Sequence, residues 1–143
     1  MEEIVQSDPF RRLDTNEYEW VTTGGLGPCT GIFVYDHASK VAYAVHLPSP
    51  HLCEVESLLE TLTAAAAEFA GSSGLVEVFV TGCCDDGDAA EDHAPSTIRT
   101  FVEAQVREIL PNARHHFRWP EKGTVMFSMD LELDTGSVFY DEF

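Results

Sequence analysis

The stretch TTGGLGPCTGIFVYDHASKVAYAVHLPSP, residues 22–50, decides how this chain folds. A glycine-rich turn runs into two nearly uninterrupted apolar segments, GIFVYD and KVAYAVHL, split by the short polar segment DHAS. Apolar runs bounded by turn residues predict a hairpin whose strands are covered on both faces of a sheet. Val41, Tyr43, Val45 and Leu47 fall on one face of the second strand; Ala42, Ala44 and His46 fall on the other. If Asp36 to Ser39 form the loop, Tyr35 pairs with Lys40 and Cys29 falls opposite His46. Directly opposed Cβ atoms lie about 4.5–5.5 Å apart, within reach of a thiol–imidazole contact. A loop one residue shorter or longer would send the two to opposite faces.

Outward from the hairpin, residues 1–17 mix charges with few apolar residues and predict a loose lead-in, followed by a single domain over residues 18–143. YEWVTT reads as a strand ended by GGLG. After the hairpin, Ser49 and Pro50 suit the N-cap and first residue of a helix. Val55, Leu58, Leu59, Leu62, Ala65, Ala66 and Phe69 then recur at helical spacing, with Gly71 as a stop. GLVEVFVTG is the next strand, and CCDDGDAAEDH an acidic loop. PSTIRTFVEAQVREIL is a second helix, striped by Ile98, Phe101, Val102, Val106, Ile109 and Leu110. ARHHFRW, TVMFSMDLEL and GSVFYDE close the chain as strands. The order βββ-α-β-α-βββ predicts a layered α/β domain with largely antiparallel strands.

With 143 residues, 44% hydrophobic and 23% charged, the chain is of ordinary globular composition. A formal charge of −17, from 25 acidic against 8 basic residues, repels phosphate backbones and anionic lipid surfaces. Nucleic-acid binding is therefore excluded as an expectation. The charge favours solubility, a basic partner or a salty cytoplasm. No apolar run reaches membrane-span length, and the opening residues are too polar for a secretory signal. A cytoplasmic protein without membrane insertion is expected. Cys29, Cys53, Cys83 and Cys84 lack disulfide-scaffold spacing and read as reduced thiols.

Cysteine and histidine on one hairpin face suit nucleophilic catalysis. A thiol is a weak nucleophile until ionised, and an imidazole beside it can take the proton and later pass it to a leaving amine. GGLGP lets the backbone turn tightly before Cys29. The amide hydrogens of Cys29 and Thr30 are candidate oxyanion donors, whereas Pro28 has none. The plain alternative is a buried cysteine and a hydrogen-bonded core histidine.

At these residues the sequence resembles the CheD family of chemoreceptor glutamine deamidases. The matching letters are Thr23, GLGPC, FVYD, Lys40, His46 and LP at Leu47–Pro48, and LELDTGSVFY resembles the family's terminal hairpin. The likeness spans about residues 18 to 140 and is strongest in the first third. It implies an α/β/α-type sandwich and a Cys29–His46–Thr23 triad that deamidates protein glutamine, with Thr23 orienting His46. It also implies methylester hydrolysis and a CheC-like signalling partner as further possibilities, and no cofactor. Pro28 stands where the family usually has serine, and Thr81–Cys84 replace a glycine-rich stretch. Two other readings keep the fold: an effector-type deamidase with another client, and a non-catalytic module that docks a partner by its acidic surface.

Remaining candidates carry weaker chemistry. His37 sits in the hairpin loop and would compete for Cys29 if the register slipped. His115 and His116 with Cys83 and Cys84 could suggest zinc, but neighbours on a strand face opposite ways, so no metal is expected. The aspartates after Cys84 lack the ligand order of a calcium loop. His51 and Cys53 have no evident partners, and Trp20 and Trp119 read as core or rim residues.

Overall fold

The computed structural model describes residues 2–3, 10–26, 29–47, 55–84, 95–121 and 127–142. Among them run β1 (Glu2–Glu3), β2 (Arg11–Asp14), β3 (Trp20–Thr23), β4 (Thr30–Asp36), β5 (Val41–Leu47), α1 (Val55–Phe69), β6 (Val76–Gly82), α2 (Pro95–Ile109), β7 (Arg114–Arg118), β8 (Phe127–Glu132) and β9 (Val138–Glu142). They form a five-stranded sheet ordered β2-β5-β4-β6-β7 and a four-stranded sheet ordered β1-β3-β8-β9. Pairing is antiparallel except for β1–β3 and β6–β7. The expected mixed α/β sandwich with mostly antiparallel strands and two helices is what the chain forms.

The central hairpin sets the layers. Every residue of β4 and β5 is buried, because both faces are covered. Ile32, Val34, Val41, Tyr43 and Val45 pack against Leu58, Leu62, Ala65 and Phe69 of α1 and Val102 and Val106 of α2. Phe33, Tyr35, Ala42 and Ala44 meet Val21, Met129, Leu131 and Leu133 from the small sheet's side. Both helices therefore share one face of the large sheet, and the third layer is the small sheet rather than a second helical layer. The alanines supply the small side chains that let the two sheets approach.

The hairpin register differs from expectation by one pair. Asp36 pairs with Val41, so the loop is His37 to Lys40. The Asp36 carboxylate explains the shift. It accepts from the Ala38 and Ser39 amides and from the hydroxyls of Ser39 and Ser72, while Lys40 adopts φ 58° and donates its amide to Asp36 O at 2.8 Å. Burial raises the Asp36 carboxyl, but those four donors outweigh it and hold the group below its ordinary value. The loop still has four residues, so facing is preserved. His46 lies opposite Gly31, with Cys29 two residues further along the same side.

The N-terminal segment is not a loose lead-in throughout. Residues 11–14 form β2, paired with β5 at the sheet edge, where Leu13 is 1% exposed. Arg12 grips Glu68 of α1 through two hydrogen bonds of 2.7 and 2.9 Å. One inward apolar residue among charged neighbours is too faint a pattern to read as a strand. The Ser49–Pro50 helix start, His51, Cys53 and the acidic loop after Cys84 lie outside the described residues. No described helix is long and apolar enough to cross a membrane.

Candidate functional site

Strand β3 ends at Thr23 in the small sheet, where Val21 is buried and fixes which way the strand faces. Thr23 is fully buried and reaches across the gap between the sheets. Its Oγ1 lies 2.9 Å from Nδ1 of His46. His46 is itself 5% exposed, on the alanine face of β5. The two sequence candidates farthest apart in element are thus joined by a direct hydrogen bond in the dry interior.

Gly31 makes that bond possible. A Cβ there would stand 2.8 Å from Cγ2 of Thr23 and 3.0 Å from Cδ1 of Leu26. Glycine in an apolar strand signals close approach of another group, and this one opens the space that Thr23 fills.

Cys29 precedes β4 and is 5% exposed, in a buried cluster with Leu26, Cys84 and Phe127. The described residues on either side of positions 27 and 28 are both tied by main-chain bonds. Leu26 donates its amide to Phe127 O at 3.0 Å, and Cys29 O accepts the Cys83 amide at 2.7 Å. Gly82 lies against this carbonyl with φ +97°. Arg99 of α2 then clasps Cys83 O through two N–H bonds of 2.7 and 3.2 Å, and a third of 3.3 Å reaches Pro120 O. TGCC is therefore the shelf on which the cysteine rests. Gly31, Gly82 and Arg99 escaped sequence reading. The glycines carried a detectable signal, while Arg99 sits in an amphipathic helix with nothing to mark it.

The Cys83-to-Cys29 and His37-to-Leu75 amide bonds show that odd-numbered residues of β4 face β6 in the ladder. The Thr30 amide consequently points to Leu47 in β5.

The other candidates are dispersed. His37 bonds Glu77 at 2.9 Å at the opposite end of the hairpin. His116 bonds the same carboxylate at 3.2 Å and stacks on Phe79, whereas His115 bonds Leu110 O. Burial raises the Cys83 thiol despite the opposing charge of Arg99. The Cys84 thiol donates to Leu26 O at 3.2 Å. Trp20 leans on Phe139, and Trp119 donates to Glu103.

Thr23 and His46 are thus in direct contact between the sheets, and Cys29 lies in the buried cluster of Leu26, Cys84 and Phe127. No family model matches the chain. It is 30% identical over 131 residues, covering 85% of this chain and 69% of the other, to a protein of Haloarcula marismortui named "Probable chemoreceptor glutamine deamidase CheD". With this identity over most of both lengths, the chain belongs to the CheD family.

Proposed function

We propose that this protein is a cysteine amidohydrolase that converts glutamine side chains of a chemoreceptor-type protein to glutamate, releasing ammonia. The observation that carries the reading is the buried Thr23–His46 bond on the sheet face that also bears Cys29. Thr23 Oγ1 accepts from Nδ1–H, which leaves Nε2 of His46 as the basic nitrogen. Nε2 takes the Cys29 thiol proton, and the thiolate attacks the amide carbon. The oxygen of the tetrahedral adduct accepts from the Cys29 amide. Imidazolium Nε2–H protonates the nitrogen, the C–N bond breaks, and ammonia departs. Water then gives a proton to Nε2 and attacks the thioester. The C–S bond breaks, the sulfur regains a proton, and glutamate is left. Methylester hydrolysis would follow the same steps with methanol leaving. A chemoreceptor client places this chemistry in the cytoplasm.

The test is incubation with the cytoplasmic fragment of a chemoreceptor. Ammonia release matched by glutamine-to-glutamate conversion in peptide mass spectra is expected. Release without conversion, or none from such fragments, overturns the reading.

Threonine is neutral, so its part is to hold the ring and tautomer rather than to stabilise the imidazolium by charge. Thr23→Val is expected to lower kcat by about 10- to 100-fold, the usual cost of losing an orienting partner. It should also destabilise the fold by about 1–3 kcal/mol, because Nδ1 loses its partner in the interior. Thr23→Ser should keep most of the rate. A valine variant with wild-type kcat would show that the bond is merely structural.

A further inference from the structure

A chain of charge −17 repels acidic surfaces as a whole, yet its basic residues are unevenly placed: five of the eight lie between Arg99 and Lys122. Most described cations are engaged. Arg12 is held by Glu68, Lys40 by Asp134 at 2.8 Å, and Arg114 stands 3.8 Å from Glu77. Arg99 is occupied by main-chain carbonyls, and Arg107 covers Phe117 on the helical side of the sheet.

Arg118 is different. It ends β7 and is exposed, with its guanidinium over the rings of Tyr140 at 4.7 Å and Phe127 at 5.7 Å. Among the described residues it meets no carboxylate. A guanidinium held over an aromatic ring can still present its N–H fork to a planar anion. Tyr140 and Phe127 form a low-entropy platform that fixes where the fork sits.

Its place relative to the site follows from strand register. His46 pairs with Gly31, Gly31 with Thr81, and Thr81 with Arg118, so the four make one row across β5, β4, β6 and β7. Residues in a row project to the same face, and three strand spacings of about 4.8 Å separate His46 from Arg118 across the sheet. Thr81 locks the row by donating its hydroxyl to Arg118 O at 2.7 Å. Phe127, under the guanidinium, belongs to the buried cluster that contains Cys29. The row thus carries an exposed positive charge at its β7 end.

We infer that Arg118 is a specificity-determining residue that binds a carboxylate beside the target glutamine, so that the enzyme selects glutamines with acidic neighbours. The inference rests on the deamidase reading.

The probe is a pair of helical peptides with a single glutamine, flanked one turn away on each side by Glu in one and by Lys in the other. Wild type is expected to favour the Glu peptide in kcat/KM. In Arg118→Met, whose stem still covers Tyr140 and Phe127, the ratio should fall about three- to tenfold, with the change in KM rather than kcat. Arg118→Lys should restore part of it, and Arg118→Glu should reverse the preference. A ratio unchanged in Arg118→Met and Arg118→Glu overturns the inference while leaving the deamidase reading intact. Absence of ammonia from both peptides and from chemoreceptor fragments with wild-type enzyme overturns the deamidase reading itself.

Discussion

Cys29→Ser is expected to abolish ammonia release, by at least about 10³-fold, with the fold retained. An alcohol is far harder to ionise than a thiol, and an imidazole gives it much less help. The substitution is nearly isosteric in the cluster of Leu26, Cys84 and Phe127, so the urea midpoint should move by no more than about 1 kcal/mol equivalent. His46→Ala should match it in rate but not in stability, because it leaves a cavity between the sheets and strips Thr23 of its partner. A small alkylating reagent should modify Cys29 ahead of Cys83, whose thiol burial raises. Ammonia release by Cys29→Ser at a tenth of the wild-type rate would remove the sulfur from the mechanism.

The likeness to wild type in that variant depends on a fold that was largely legible in advance. Parity did most of the work. Val41, Tyr43, Val45 and Leu47 against Ala42, Ala44 and His46 is an alternation that any even-numbered loop preserves, so facing survived the one-pair shift in register. The shift was invisible because it depends on the Ser72 hydroxyl, supplied from beyond α1 to the Asp36 carboxylate. Layering was less legible. Periodicity shows that a helix buries one stripe but not which face of which sheet receives it, so both helices on one side could not be read from sequence.

The site divides in the same manner. Cys29, His46 and Thr23 could be named from spacing and family likeness, since they carry reactive or polar groups. Their supports could not. Gly31 acts through the side chain it lacks, Gly82 through its backbone angle, and Arg99 through carbonyls that any residue would present. Arg118 became meaningful only through a parallel pairing between β6 and β7 that local patterning does not encode.

Gly82→Ala should be the most damaging change that touches no reactive group. At φ +97° an L side chain is strained, which costs about 1–3 kcal/mol by itself. The new Cβ would stand 2.3 Å from Cys29 O and 3.1 Å from Cβ of Leu26. The nearest obstacle is main chain, so no rotamer change relieves it, and overpacking adds about 1–3 kcal/mol. Relief requires Cys29 O to move off the Cys83 amide, opening the 2.7 Å bond that seats Cys29. A shift of about 1 Å at a catalytic group costs on the order of 10²-fold in rate, so activity should drop at temperatures where the variant remains folded. Gly71→Ala is the control, since its Cβ would meet nothing within 4 Å. It should leave both melting and rate near wild type. Urea melts and ammonia release on the two variants separate strain from misplacement: a Gly82→Ala protein that loses stability yet keeps its rate would mean that the shelf under Cys29 supports the fold and not the chemistry.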